Sequence, residues 1–353
     1  MRKNVFFLVA LATLAMATSC SQDEQQSVNR GRAISFNAAL NVTRAQDYPA
    51  APDEFKVYGT STASQSAANP VIIPNALFKK DGSTTTWLSQ GSNQYFWPAN
   101  ENEAVEFSAY APTSLPTNTV VSHTGFKDFT VDQDASKQVD LVVGTKTISK
   151  ANTTNGGVPL QFDHALTQVF IKGIDTNPAY VCTITSVGFG NIKCKGDYEF
   201  KSKAWTAKDP ASFSVTHANA IVLDGNQQVA VDLMGNTAKD FKFVPQQIVP
   251  WDRVKDAGVE TDQAYFVFNI VVKTTGGYEV HNGEAYVPVP KVTWEAGKSY
   301  TYTLDFSNGF GYKKDGKPIV SDTPIKFVGV TISGWKDEPV SVVVNEKTTS
   351  PTP

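Results

Sequence analysis

Short runs in which every second residue is apolar recur along nearly the whole chain, separated by residues that favour turns. Side chains alternate faces along a β-strand, so such a run buries one face and leaves the other in water. The stretch from Ala33 to Gln46 shows it first. Ile34, Phe36, Ala38, Leu40 and Val42 fall on one side, and Ser35, Asn37, Asn41 and Thr43 on the other. The pattern returns in Glu54 to Thr60, Ala104 to Tyr110, Thr167 to Ile174, Val181 to Phe189, Ala264 to Lys273 and Tyr300 to Phe306. Asp81-Gly82, Asp224-Gly225-Asn226 and Gly276-Gly277 supply turns. No window carries a convincing helical period, so the expected class is all-β with few, short helices. Strands so regularly broken predict a β-sandwich rather than βαβ units.

A chain of 353 residues exceeds the usual size of one core, which predicts two domains. Lys146 to Gly157, rich in Thr, Asn and Gly, is the most linker-like interior stretch. The expected division is an N-terminal sandwich over 33–157, with its first strand at 33–43, and a C-terminal sandwich over 158–345. The polar residues 346–353 make a disordered tail. The 31 basic and 34 acidic residues leave a net charge of −3 with no basic run, which excludes a nucleic-acid partner.

Residues 1–20 set the compartment. Arg2 and Lys3 precede an apolar segment, Phe6 to Ala17, too short to span a bilayer, and Ala17-Thr18-Ser19 lead into Cys20. This resembles a bacterial lipoprotein signal, with Ala17 where Leu is preferred, and makes Cys20 the lipidation site. An ordinary signal peptide cut near Ser19 is the plainer alternative. The lipid would anchor the precursor to a membrane without spanning it. Ser21 to Arg32 cannot bury a core and reads as a solvated tether.

Few other residues suggest chemistry. Arg44-Ala45, followed by a polar proline-containing link, is open to an arginine-directed protease; Arg30 and Arg32 are competing sites. Cys182 and Cys194 would pair as a disulfide if a hairpin centred on Gly188 faced them in an oxidising compartment. One extended strand would instead hold them far beyond bonding reach. His123, His164, His217 and His281 lack ligand spacing, and His164 reads as structural. Asp132-Gln133-Asp134 lacks the Gly and Glu of a calcium loop. Trp251 and the Tyr95 to Trp97 cluster present aromatic surface that suits a sugar, but core packing explains them better. No nucleophile elbow, phosphate loop, metal triad or redox pair is present in the sequence. No enzyme, metal or cofactor is expected.

Several phrases occur together in order: Tyr95-Phe96-Trp97-Pro98, Phe107-Ser108-Ala109-Tyr110-Ala111-Pro112, Phe162-Asp163-His164-Ala165-Leu166, Phe243-Val244-Pro245-Gln246-Gln247, Ala296-Gly297-Lys298-Ser299-Tyr300-Thr301-Tyr302 and Val330-Thr331-Ile332-Ser333-Gly334-Trp335. With Ile34-Ser35-Phe36 and Thr43-Arg44-Ala45, they resemble the fimbrillin family, the type V pilins of anaerobic Gram-negative bacteria. The resemblance implies two tandem transthyretin-like sandwiches, lipoprotein export to the outer membrane, and a fimbrium built with other fimbrial subunits by strand exchange. It implies that cleavage after Arg44 releases the first strand, carrying Ile34, Phe36, Ala38, Leu40 and Val42. A donor from another subunit would refill the groove, carrying some of Ile325, Phe327, Val340, Val342 and Val344. Main-chain hydrogen bonds would give affinity and alternate side chains register. The competing reading is a non-polymerising surface lipoprotein that binds a glycan or a host or bacterial surface ligand.

Overall fold

The computed structural model describes residues 33–40, 51–62, 71–153, 157–235, 238–320 and 325–335. The alternating runs form strands. The first nine are β1 (Phe36–Leu40), β2 (Glu54–Ser61), β3 (Val71–Lys80), β4 (Trp87–Ser89), β5 (Ala104–Ala111), β6 (Val120–Ser122), β7 (Gly125–Thr130), β8 (Val142–Ser149) and β9 (Val158–His164). The next eleven are β10 (Thr167–Ile174), β11 (Tyr180–Glu199), β12 (Ala204–Leu223), β13 (Val231–Asp232), β14 (Phe241–Phe243), β15 (Gln247–Pro250), β16 (Gln263–Thr274), β17 (Glu279–Pro288), β18 (Val292–Thr293), β19 (Lys298–Asp305) and β20 (Lys326–Gly334). The helical elements among the described residues are two single-turn 3-10 helices, Ala135–Lys137 and Lys150–Asn152. The fold is all-β.

Seven strands close into a barrel in the order β1-β4-β3-β2-β5-β8-β9, with β1 joining the two ends. Phe36, Phe55, Phe78, Phe107 and Phe162 fill its interior. A five-stranded sheet runs β13-β10-β19-β20, with β14 also on β10, and an eight-stranded sheet contains β6, β7, β11, β12 and β15 to β18. These two sheets share one core. Val169, Ile171, Tyr300 and Tyr302 from the first meet Ile184, Phe189, Phe266 and Phe268 from the second. The rings of Phe266 and Tyr302 lie 5.2 Å apart. Two sheets packed through their inward side chains make the sandwich that the strand spacing predicts.

The sheets do not divide at Gly157. β9 pairs with β1 and β8 and so completes the barrel. β6 and β7, from the first half of the chain, extend the eight-stranded sheet where β7 pairs with β11.

The disulfide expectation is corrected. Cys182 and Cys194 are buried free thiols on one strand, β11, which runs straight through Gly188. Twelve residues at the strand rise of about 3.3 Å put them roughly 40 Å apart, the extended-strand alternative. Burial pushes both thiols above their ordinary range. His164 has a packing role: its ring stacks on Trp335 at 4.3 Å and its Nδ1 lies 3.0 Å from Asp140 Oδ1. Trp335 donates its backbone N–H to Gly297 O at 2.8 Å, which ties β20 to this corner. Trp97 and Trp251 are buried, so neither offers a free stacking face.

Asp175, just after β10, is fully buried. Its Oδ1 accepts from the Asn177 N–H at 2.9 Å, while Oδ2 has no partner among the described residues. Burial raises its pKa above the ordinary 3.8, the Asn177 N–H partly opposes this, and the carboxylates of Asp305 and Asp224 push it further up. The folded state therefore holds this proton more tightly than the unfolded one. Asp175's contribution to stability falls as pH rises from about 4 through the raised pKa. Asp175→Asn is expected to gain about 1–3 kcal/mol at neutral pH, the cost of a buried unsatisfied polar group. The gain should vanish below the ordinary carboxylate range, and urea unfolding across pH measures it.

Candidate assembly site

β1 is held unequally by its two neighbours. On one side it forms a parallel ladder with β9, from Phe36 opposite Val158 to Leu40 opposite Phe162. On the other, a single antiparallel pair, Phe36 with Trp87, connects it to β4. Just ahead of β1, Ile34 donates its N–H to Tyr95 O at 2.7 Å, and Val158 donates to Ser35 O at 2.8 Å.

The side chains do more than this thin ladder to hold the strand. Ile34 and Phe36 are buried, with Phe36 at 0 % exposure, while Ala38 and Leu40 pack partly buried against the barrel core. The Phe36 ring meets Phe55, Phe78 and Phe107 edge-on, with centroids 5.8, 4.8 and 5.3 Å away. Edge-to-face contacts place ring hydrogens against the electron-rich faces of their neighbours. Fully burying side chains of this size contributes on the order of 1.5–3 kcal/mol each. Gly157 sets the closeness of approach. Its φ is +97°, and a Cβ there would stand 2.6 Å from Ser35 O.

Topology makes β1 separable. It is the first described strand, and its neighbours in the barrel are β4 and β9 rather than β2. A single cut between β1 and β2 would leave it held by noncovalent contacts to the downstream chain. Without it the barrel would become an open sheet with β4 and β9 as its edges and Phe55, Phe78 and Phe107 facing a vacant slot. Unpaired edges and an apolar trough together suit an added strand.

The other expected site residues are dispersed. Ile325 is buried in the sandwich core, and Phe327 packs against it, 5.9 Å from Tyr302. Phe327 lies on β20 and Ile325 directly before it; β20 pairs with β19 at the end of its sheet, far from the slot in hydrogen-bonding order. Cys20, Arg30, Arg32, Val42, Arg44, Ala45, Val340, Val342 and Val344 lie outside the described residues. Sequence reading missed the partners of β1. The Val158 to Leu166 phrase carries the alternation of β9, whereas nothing local marks Trp87 or Gly157 as its neighbours.

Residues 43–335 match the family model described as fimbrillin-like. The chain belongs to the fimbrillin-like family. The matched span starts after β1, so the strand in the slot precedes it. The fold resembles the crystal structure of a fimbrial protein from Bacteroides vulgatus, with a TM-score of 0.58 at 18% identity over 86% of this chain and 100% of that one. A candidate cell adhesion protein from Bacteroides uniformis gives 0.49 at 13% identity, covering 86% of this fimbrillin-like chain and 98% of its own. The fimbrial anchor protein Mfa2 from Porphyromonas gingivalis gives 0.37 at 10%, covering 86% and 98%. No curated protein matches the sequence. Membership of this family implies a fimbrial or adhesion role at the cell surface, structural rather than catalytic.

Proposed function

We propose that this fimbrillin-like chain is a pilus subunit that polymerises by exchanging β1 for a strand of another subunit. The observation that carries the reading is that β1 both closes the barrel and precedes every other described strand. In this scheme the precursor travels to the outer membrane as a lipoprotein on Cys20, and cleavage between Arg44 and Ala45 frees β1. The barrel and the sandwich act as two tandem transthyretin-like units, one receiving a strand and one donating it.

Since Ile325 and Phe327 serve the chain's own core, the donor is assigned to the later run containing Val340, Val342 and Val344. Their period of two matches a slot whose inward positions are those of Ile34, Phe36, Ala38 and Leu40. Other fimbrial subunits are thus the partners, with no nucleic acid and no cofactor.

The test is digestion of the full chain by an arginine-specific protease, with the new N-terminus read by mass spectrometry. Cleavage that yields Ala45 should be followed by detergent-resistant ladders, and Arg44→Ala should give neither. Cleavage at Arg30 or Arg32 alone should leave β1 in place and the protein monomeric. Confirmed cleavage at Arg44 without oligomers would overturn the proposal.

A further inference from the structure

The outward face of the eight-stranded sheet is hollow at its middle. Across β12, β11, β16 and β17, one row of paired positions reads Ser214, Gly188, Val267 and Tyr286. The adjacent row reads Thr216, Ser186, Asn269 and Glu284. These positions surround a trough of about 420 Å³, rimmed by Gln133. That volume lies within the roughly 300–1,000 Å³ range of small-ligand sites.

The hollow follows from β11. A Cβ on Gly188 would sit 2.0 Å from Phe213 O, and one on Gly190 would sit 2.0 Å from the Tyr265 ring. The two glycines let β12 and the Tyr265 ring settle onto β11. Register shifts bracket them, between Ile184 and Ser186 against both neighbouring strands and between Phe189 and Ile192 against β12. Bulges of this kind re-aim side chains and concentrate beside binding sites.

The walls are rigid. Tyr265 and Tyr286 lie 5.4 Å apart at 62°, and Trp251 packs edge-on against each at 6.1 Å. Tyr286 donates its hydroxyl to Glu284 Oε2. Burial pushes both phenols up from their ordinary value.

We propose that this trough binds a neutral saccharide. Serine and threonine hydroxyls and the amides of Gln133 and Asn269 both donate and accept hydrogen bonds, which matches a ligand covered in hydroxyls. Val267 and the tyrosine edges supply the apolar strip that a sugar's C–H face needs. Among the described residues no lysine or arginine lines the trough, so an anionic ligand would meet Glu284 without a compensating charge there. An amine would have to compete with Tyr286 for that carboxylate. All of these side chains except that of Gln133 stand on paired strands, so little ordering is required on binding. The site belongs to the sheet that excludes β1, and its test does not depend on polymerisation.

The test is an array of immobilised neutral mono- and oligosaccharides probed with the full-length chain, followed by calorimetric titration of the strongest binder. Saturable binding is expected, weakened about tenfold or more by Asn269→Ala at an unchanged melting temperature, and likewise weakened by Glu284→Ala, which also removes the acceptor of the Tyr286 hydroxyl. Val267→Trp should fill the trough and abolish binding. Tyr278→Ala, at the exposed turn between β16 and β17, should change nothing. No neutral saccharide bound, binding confined to charged sugars, or affinity in both alanine variants unchanged from the parent would overturn the proposal.

Discussion

Phe36→Ala is expected to destabilise the barrel by about 3–5 kcal/mol, the range for deleting a buried aromatic ring. The ring has no exposure and fills the space among Phe55, Phe78 and Phe107, whose own strands fix them in place. Two responses compete. The void can persist, or β1 can leave, since one ladder and one bridge hold its backbone. The measured loss is therefore capped by the free energy that seats β1, and Phe36→Ala reads that quantity from below. Guanidinium unfolding followed through Trp87 and Trp97, both buried in the barrel, would report it. Ala39→Ser, on the exposed face of β1, should stay within about 0.5 kcal/mol of the parent. A loss under about 1 kcal/mol for Phe36→Ala would show that the Phe36 ring does not seat β1 firmly in the slot.

Period-two patterning was enough to read the strands whose two faces differ. Thr167 to Ile174 coincides with β10, and Glu54 to Thr60 lies within β2. What local pattern could not convey was partnership. β1 lies beside β9, whose first residue is 122 positions after Phe36, and the closing contact is a property of the folded barrel. The barrel's last strand, β9, runs on past Gly157 to His164, and local pattern did not show that for the same reason. A polar, glycine-containing stretch resembles a linker whether it joins two domains or two strands of one barrel.

The longest strands were hidden by their own exceptions. Gly188 and Gly190 resemble turn signals, yet they are small because a neighbouring backbone and a tyrosine ring approach too closely for a Cβ. That resemblance is what kept a hairpin and a disulfide between Cys182 and Cys194 open beside the extended strand that the structure shows. Pro210 likewise breaks the pattern of β12. It is tolerated because β12 lies beside β11 alone among the named strands, so its other edge needs no ladder donor. The trough arises from the same irregularities, so Val181 to Phe189 was legible as a strand while the trough beside it was not.

Gly157→Ala is the second substitution with a large expected effect, and it separates seating from cleavage. A backbone φ of +97° is unfavourable for an L-residue, and the new methyl would press into Ser35 O, 2.6 Å from the ideal Cβ. Backbone strain alone amounts to about 1–3 kcal/mol. It falls where β1 enters the slot, because Val158 donates to that same Ser35 oxygen. The chain relieves the clash either by shifting Gly157, which disturbs the start of β9, or by withdrawing β1. Since the sandwich core is formed elsewhere, its stability should change little. Hydrogen exchange should therefore accelerate by tenfold or more at the β1 and β9 amides, while β16 and β19 stay protected, with each 1.4 kcal/mol of local destabilisation giving about a factor of ten. If β1 is the plug that strand exchange requires, the same variant should polymerise faster once cut after Arg44, since release of β1 then limits the reaction. Faster exchange with unchanged polymerisation would place the slow step at docking of the incoming strand.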